Sequence, residues 1–261
     1  MILLLGGTGN TAEIALALAR AGYRVLVSKA TEVPLDVGRH ARIESRWGPL
    51  DERGLAELIA QRKIRAVVDA THPYATAIRA QARRAAEAMK IPYFSFLRPA
   101  AIDPHSADVV LVADHAAAAE AAFSFGQPVL LTTGARNLAP YVTAARRTGL
   151  PLVVRVLERP ASRAACLQAG IPPQHILAGR GPFSVEQNRR HIRAFGIGVL
   201  VTKDGGRAGG VPEKLAAARS EHCRVVALRR PEAAEPAAFT DLGRLLGAVR
   251  KAVPDYRRGA D

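Results

Sequence analysis

Short apolar runs alternate with longer segments rich in Ala, Leu and Arg along nearly the whole chain. Short runs of this kind are typical of buried strands, and the longer segments carry apolar residues at helical spacing. Because two parallel strands need a crossover between them, the alternation predicts βα units and mainly parallel sheets. Ten strands and nine helices are predicted in this way, with no element between Ser28 and Leu50.

The chain is predicted to divide near residue 100. The segment Arg98-Pro-Ala-Ala-Ile-Asp-Pro-His105 holds two prolines, and no periodic pattern resumes before Val109. The length of 261 residues exceeds the ~150 of a typical domain, and each side of this segment has enough predicted strands for its own sheet. We therefore predict two three-layer α/β domains, residues 1–100 and 101–261. Ligands of such sheets bind outside the carboxyl ends of the strands.

The composition is that of a globular protein, with 49% hydrophobic and 23% charged residues, which excludes disordered, collagen-like and coiled-coil classes. The apolar run Met1–Leu5 is too short for a signal peptide, and no run approaches the ~20 residues of a membrane span. We expect a cytoplasmic protein that does not bind membranes. Cys166 and Cys223 belong to no CxxC or Cys/His motif, so we expect buried thiols and no metal site.

Basic residues outnumber acidic residues by 37 to 23, which gives a net charge of +14. Residues 1–60 hold seven of each, so the whole excess lies beyond residue 60. A positive cleft concentrates anions, and a nucleotide, a polycarboxylate or a nucleic acid would each suit it. The alternative is a solvated, Arg-rich surface without a ligand.

A glycine-rich turn follows the first predicted strand. Gly7-x-Gly9-x-x-Ala12 stands between Ile2–Leu5 and an amphipathic helix, where the dinucleotide-binding fingerprint of a Rossmann-like domain requires it. Glycine permits close approach of a pyrophosphate, and the helix N-terminus favours its charge. The alternative is a plain strand-to-helix connection. The residues expected to bind the cofactor here are Gly6, Gly7, Thr8, Gly9, Asn10 and Thr11.

The end of the second predicted strand bears on which nicotinamide cofactor is bound. NAD-preferring sites place a carboxylate there to bind the ribose 2′-hydroxyl, whereas this strand ends in Ser28 and Lys29. Ser28 can donate a hydrogen bond to a 2′-phosphate, and Lys29 can neutralise its charge. The sequence therefore favours NADP(H) over NAD(H).

A third polar segment, Asp69–Ala75, follows the Ala66–Ala70 strand and contains Pro73, which favours a sharp turn. In a doubly wound domain this loop faces the ribose and nicotinamide part of the cofactor, so we expect Ala70 and Thr71 to contact it. His72 and Tyr74 are candidates for substrate binding and proton transfer. The alternative is that Thr71 caps the next helix while His72 and Tyr74 pack.

Seven short motifs are spread along the chain. They are Gly6-Gly7-Thr8, Val68–Ala75 (VDATHPYA), Leu97-Arg98-Pro99, Thr132–Leu138, Val154–Leu157, Gly181–Ser184 with Asn188, and Thr202–Gly210 with Glu213-Lys214. With these motifs in this order, the chain resembles the precorrin-6A reductase family over about residues 1–231. One departure lies in the first loop, where the family commonly reads GGTxE and this chain has Gly9-Asn10-Thr11-Ala12 before Glu13.

The resemblance implies an oxidoreductase of cobalamin (vitamin B12) biosynthesis. Its activity would be NADPH-dependent reduction of one double bond of the precorrin-6A macrocycle to give precorrin-6B. It also implies two Rossmann-like domains with the substrate in an interdomain cleft. The motifs do not separate this activity from cobalt-precorrin-6A reduction, which uses a cobalt-containing substrate and NADH.

The implied substrate carries many carboxylates, which accounts for the basic excess because Arg binds carboxylates well. Lys203 is added to the candidate proton donors His72 and Tyr74. The alternatives are a surface role for Arg136 and Asn137, a plain helix cap at Gly181–Ser184, a local Lys203–Asp204 ion pair, and pairing of Arg155 with a local carboxylate. The residues expected to bind substrate are Thr71, His72, Arg98, Thr133, Gly134, Arg136, Asn137, Gly181, Pro182, Phe183, Ser184, Lys203, Asp204 and Gly206.

Two other functions remain open from the residues. One is an NAD(P)-dependent reductase of another small acidic molecule, and the other is a nucleotide- or nucleic-acid-binding protein without enzymatic activity. Aromatic residues make up only 5% of the chain, which disfavours stacking on bases, so we expect no nucleic-acid partner. We expect a monomer.

Overall fold

The structure, a computed structural model, describes residues 1–30, 40–103, 105–231 and 238–254. Its contacts divide the chain into two compact units. The first unit contains Met1–Pro99 together with the described C-terminal residues 238–254, and the second contains Ala100–Pro231.

The first unit is built on a five-stranded parallel sheet with the strand order β3-β2-β1-β4-β5. The order reverses between β1 and β4, so the crevice at their carboxyl ends is the place where ligands of doubly wound sheets bind. Its elements before residue 100 are β1 (Ile2–Leu5), α1 (Thr11–Arg20), β2 (Val25–Lys29), β3 (Ile43–Trp47), α2 (Glu52–Gln61), β4 (Ala66–Asp69), α3 (Thr76–Ala88) and β5 (Tyr93–Ser95).

The second unit is built on a six-stranded parallel sheet with the strand order β6-β11-β10-β7-β8-β9. Here the order reverses between β7 and β10. Its elements are β6 (Val109–Val112), α4 (His115–Phe123), β7 (Val129–Leu131), α5 (Ala139–Thr148), β8 (Leu152–Val156), α6 (Pro160–Gln168), β9 (Ile176–Ala178), α7 (Val185–Ala194), β10 (Val199–Lys203), α8 (Val211–Ser220) and β11 (Arg224–Leu228), with short 3-10 turns at Pro173–His175 and Arg207–Gly209.

Helices cover both faces of the first sheet. Alternate residues of β1 point to opposite faces: Ile2 and Leu4 pack with α1, whereas Leu3 and Leu5 pack with α2 and α3. All four are buried, as expected for a central parallel strand that is covered on both sides. This arrangement is the predicted three-layer α/β architecture.

The last helix, α9 (Leu242–Ala252), belongs to the first unit, which corrects the prediction that the second domain runs from residue 101 to 261. Leu245 and Val249 are fully buried in the same core cluster as Ile14 of α1. The Tyr23 hydroxyl also donates a hydrogen bond to the Val253 carbonyl at 2.7 Å. The helix therefore returns to the first sheet because that sheet's α1 face offers it apolar surface.

The second sheet is also layered. Leu130, Val153 and Leu200 point to one face and pack with residues of α7 and α8, such as Ile192. Helices α4 and α5 pack against each other and against β6, β10, β11 and β8. The structure thus confirms the predicted fold class of two parallel-sheet α/β units.

All ten predicted strands and all nine predicted helices are present, most with ends shifted by one or two residues. Strand β3 was not predicted from the sequence, because its residues Ile43-Glu-Ser-Arg-Trp47 are mostly polar and none of them is buried. An edge strand of this kind lacks the apolar run by which a buried strand is recognised.

Both cysteines are free and buried, as predicted. No helix in the described ranges is long and apolar enough to span a bilayer. Within the same ranges, no three His, Cys, Asp or Glu side chains form a group that could hold a metal ion.

Candidate functional site

The glycine turn lies at the carboxyl end of β1, where the first sheet reverses its strand order. A Cβ on Gly6 would overlap the Thr11 methyl group, so the turn and the helix approach each other as closely as glycine allows. Gly7 has a φ of +123°, and a Cβ there would meet no atom within 4 Å. The backbone of the turn is therefore open toward a ligand.

The Thr11 side chain stabilises the glycine turn through hydrogen bonds. Its Oγ1 accepts hydrogen bonds from the backbone N–H groups of Gly7 and Thr8, both at 3.1 Å, and its side chain is buried. The Thr8 hydroxyl donates to the Ala70 carbonyl at 3.1 Å and so ties the turn to the loop after β4. The structure thus brings the first and third polar segments of the sequence together.

Two buried polar atoms in these loops have no hydrogen-bond partner: Asn10 Oδ1 and Thr71 Oγ1. The Asn10 amide nitrogen donates to Glu13 Oε2 at 3.3 Å, which gives Glu13 a local partner. Buried polar groups in proteins are normally hydrogen bonded, so atoms of this kind mark places where a ligand can bind. The open glycine backbone and these two atoms fit a dinucleotide.

The loop after β4 is fixed by Asp69, which is fully buried. Its carboxylate accepts hydrogen bonds from the Thr71 N–H at 2.8 Å and the Tyr93 hydroxyl at 2.6 Å, and it forms an ion pair with Arg79 at 3.5 Å. This network orients the loop that carries the candidate catalytic residues.

His72 and Tyr74 are half-buried neighbours in that loop, with ring centroids 5.5 Å apart. His72 Nδ1 accepts a hydrogen bond from the Tyr74 N–H at 3.4 Å, and the Ala75 N–H donates to the His72 carbonyl at 2.8 Å. The loop thus folds back on itself and keeps the two rings together. Arg98, further along the unit, is buried.

At the carboxyl ends of β2 and β3 the structure adds a residue that the sequence analysis missed. Arg46 Nη1 donates a hydrogen bond to Ser28 Oγ at 2.8 Å, and the guanidinium also bonds the carbonyls of Trp47 and Gly48. Arg46 is partly exposed, whereas Lys29 is 92% buried, its exposed fraction being 8%. Trp47, the residue that follows Arg46 in β3, is 56% exposed.

In the second unit, consecutive strands present polar or aromatic side chains at the carboxyl edge of the sheet. Thr133, Gly134 and Arg136 follow β7, and Gly134 has a φ of +91°. Arg136 lies close enough to Lys203, the last residue of β10, to help burial lower the pKa of the Lys203 amine. These candidates therefore come together at the point where this sheet reverses its strand order.

Asn137 is held by a histidine that sequence analysis did not identify. Its amide donates to His115 Nε2 at 3.0 Å, and His115 Nδ1 is hydrogen bonded to the fully buried Tyr141 hydroxyl at 2.9 Å. Burial and the nearby Lys203 lower the pKa of His115, so the neutral imidazole is favoured. His115 thus fixes the orientation of the Asn137 amide.

The Gly181–Ser184 segment begins α7 and also covers an arginine. Ser184 and Gln187 form a capping box, with hydrogen bonds of 3.1 and 2.8 Å. The Phe183 ring lies 4.2 Å from the Arg155 guanidinium carbon. The predicted cap is present, and it has a second role beside Arg155.

The Asp204 side chain is buried within the second unit. Its carboxylate accepts hydrogen bonds from the backbone N–H groups of Ala101, Ile102 and Gly206, and it pairs with Arg230 at 3.2 Å. The side chain is 4% exposed. Asp204 therefore anchors the start of the second unit through direct hydrogen bonds from Ala101 and Ile102, and it also forms an ion pair with Arg230.

The two parallel sheets and the glycine turn define an α/β protein of the Rossmann type. The chain belongs to the precorrin-6x reductase family: the family model described as "Precorrin-6x reductase CbiJ/CobK" matches residues 1–250.

Relatives of known name cover nearly the whole chain. The chain is 35% identical over 235 residues to a precorrin-6A reductase of Rhodococcus erythropolis, covering 88% of this chain and 89% of the relative. It is 30% identical over 233 residues to a cobalt-precorrin-6A reductase of Priestia megaterium, covering 89% and 91%. A solved structure, "CobK precorrin-6A reductase", matches with a TM-score of 0.79 and 25% identity over 98% of both chains.

Proposed function

We propose that this protein reduces one double bond of precorrin-6A, with NADPH as the hydride donor, to give precorrin-6B in cobalamin biosynthesis. The observation that carries the activity is the family match over residues 1–250. The geometry within each unit supports the roles of individual residues.

The cofactor would bind along the carboxyl edge of the first sheet. Gly6, Gly7, Thr8 and Gly9 offer backbone amides and space for a pyrophosphate, and the N-terminus of α1 adds its dipole. Asn10 and Thr71 each bring a buried oxygen that lacks a partner. Bound NADPH supplies the hydride, while these residues hold and orient it. Ala70 contributes by accepting the Thr8 hydrogen bond that joins the two loops.

The 2′-phosphate of NADPH would bind at Ser28, Lys29 and Arg46. Arg46 is held against Ser28 by a 2.8 Å hydrogen bond, and no carboxylate of the described residues pairs with it. A guanidinium without a carboxylate partner binds a 2′-phosphate more strongly than a 2′-hydroxyl, because only the phosphate is charged. This is the support for NADPH over NADH.

Reduction also needs a proton, and His72, Tyr74 and Lys203 are the proposed sources. Desolvation and the nearby Arg136 lower the pKa of Lys203, which makes its proton easier to transfer. His72→Asn, Tyr74→Phe and Lys203→Met separate the three. The donor is the residue whose loss lowers kcat while the dissociation constant of NADPH stays unchanged.

The carboxylates of the macrocycle would bind to cationic and amide groups. We propose this role for the residues named at the end of this paragraph, of which Thr71 and His72 would border the cofactor. Asp204 and Gly206 would act by shaping the loop after β10. The set is Thr71, His72, Arg98, Thr133, Gly134, Arg136, Asn137, Gly181, Pro182, Phe183, Ser184, Lys203, Asp204 and Gly206.

The activity is tested by absorbance at 340 nm. Purified protein with NADPH should lose this absorbance only after precorrin-6A is added, and protein with NADPH alone is the control. The single tryptophan, Trp47, reports binding separately, because NADPH beside it should quench its fluorescence. Quenching without turnover would reject the reductase proposal and leave the cofactor site in place.

A second candidate is reduction of cobalt-precorrin-6A with NADH. It is favoured by the 30% identity to the relative of that name in Priestia megaterium. Assays with both substrates and both nicotinamides decide between them: a higher kcat/KM for the cobalt form with NADH would replace our proposal. A monomeric state and a cytoplasmic location stay predictions.

A further inference from the structure

Three basic side chains come together at the carboxyl edge of the second sheet. Arg155 lies near the end of β8, Lys203 ends β10, and Lys214 stands in the first turn of α8. Within the described part of the chain, neither Arg155 nor Lys214 forms an ion pair with a carboxylate. Clustered cations repel one another unless an anion joins them.

Arg155 is 95% buried, its exposed fraction being 5%, yet its hydrogen bonding is incomplete. Nη1 donates to Asn188 Oδ1 at 2.7 Å and lies 3.4 Å from His191 Nδ1, while Nη2 is buried and has no partner. The Phe183 ring lies over the guanidinium, with its centroid 4.2 Å from the guanidinium carbon. Burying a charged donor without an acceptor costs free energy. An arginine with only a structural role would not need an unpaired donor.

Lys214 is the second half of this site. Its Nζ donates hydrogen bonds to the Gly209 carbonyl at 3.2 Å and to Thr202 Oγ1 at 3.5 Å, and neither acceptor carries a charge. Burial, with Arg155 and Lys203 nearby, lowers the pKa of its amine to about 8. The adjacent Glu213 does not pair with it, although Glu213 Oε2 is buried without a partner.

We propose that Arg155 and Lys214 form a binding pocket for one carboxylate of the substrate macrocycle. This inference rests on the proposed function, since that supplies the acid-rich ligand. A planar guanidinium edge and an ammonium group are a good pair for a carboxylate. The bound anion would supply the missing acceptor of Arg155 and remove the repulsion between the two cations.

The test is equilibrium binding of precorrin-6A in the presence of NADP⁺, so that no turnover is needed. Lys214→Met should weaken binding at least tenfold, and Lys214→Arg should restore it to within threefold of the native protein. Arg155→Met should also weaken binding. Lys251→Met is the control: it removes the same charge from an exposed position on α9, outside the second unit, and should bind normally.

Equal binding by the native protein and folded Lys214→Met would overturn the pocket, whether or not reduction is observed. Binding that depends on Lys214 but leads to no NADPH oxidation would support the pocket and reject the reductase proposal. If Arg155→Met fails to fold because Asn188 and Phe183 lose their contacts, the Lys214 variants alone decide. The Trp47 quenching by NADPH, measured on each variant, checks that the first unit is intact.

Discussion

Ser28 and Arg46 are register partners on adjacent parallel strands, and their side chains meet in a 2.8 Å hydrogen bond. Register partners point to the same face of a sheet, so the contact is set by the pairing of β2 with β3. The bond holds the guanidinium at the carboxyl edge, beside the position where a doubly wound domain binds the adenosine ribose.

Arg46→Ala should therefore weaken the preference for NADPH. A hydrogen bond to a charged group contributes about 1.5–3 kcal/mol, so kcat/KM with NADPH should fall by about ten- to a hundredfold. The value with NADH should change less than threefold. Arg53→Ala, in an exposed pair with Glu57 on α2, is the control and should alter neither. Equal losses with both nicotinamides would show that Arg46 does not contact the 2′-phosphate.

This residue illustrates what the sequence could and could not predict. Ser28 and the absence of a strand-end carboxylate were readable from the chain, and they indicated NADP(H). Arg46 was not identified because β3 is polar and exposed, so no periodicity marked it as a strand paired with β2. Pairing between strands is a long-range property, and only the fold revealed that residues 28 and 46 are neighbours.

Gly6→Ala should impair cofactor binding through the shape of the turn. The new Cβ would overlap the Thr11 methyl group, which forces the turn away from α1 and shifts the amides of Gly7 and Thr8. We expect the dissociation constant of NADPH, measured by Trp47 quenching, to rise at least tenfold. Thr11→Ser removes that methyl group and keeps the hydroxyl, so the double variant should recover much of the binding. No recovery would mean that the clash is not the cause.

Asp204→Asn should lower the stability of the protein more than its affinity for substrate, because Asp204 acts by shaping the loop after β10. The carboxylate is buried and accepts bonds from Ala101, Ile102 and Gly206 as well as Arg230. Breaking a buried charged network of this kind costs about 3–5 kcal/mol. Urea unfolding should show the loss, while KM for precorrin-6A stays within threefold. A raised KM at normal stability would instead support direct contact with substrate.

Leu245→Ala tests the position of the C-terminal helix. Leu245 is fully buried in the core of the first unit, and removing its side chain leaves a cavity that costs about 2–5 kcal/mol. Saturating NADPH should raise the melting temperature of this variant, because the ligand binds only the folded first unit. Arg244→Ala, exposed on the same helix, should be nearly neutral. Equal stability of the two variants would contradict the packing of α9 described above.

The helical pattern of α9 was evident in the sequence, but its partner was not. Amphipathic spacing indicates that a face is buried and gives no information about which sheet buries it. The same limit applies to Asp204. Its position directly after a strand was predicted correctly, but its carboxylate, which was expected to bind substrate, accepts hydrogen bonds from backbone amides. Motif order predicted the family, and side-chain contacts required the fold.

Substrate affinity should fall as Lys214 loses its proton. The pKa of this amine is lowered to about 8 by burial and by Arg155 and Lys203, with Glu213 opposing them. The ammonium group is therefore present below pH 8, and kcat/KM for precorrin-6A should decrease by up to tenfold per pH unit above it. Stability should change in the opposite direction, since the unfolded chain, with a lysine pKa near 10.5, binds more protons between about pH 8 and 10.5. Rising stability with falling kcat/KM excludes alkaline unfolding as the cause. Lys214→Met should lose the decrease of kcat/KM above pH 8, and Lys203→Met should keep it. If Lys214→Met still shows this decrease, the titration belongs to another group.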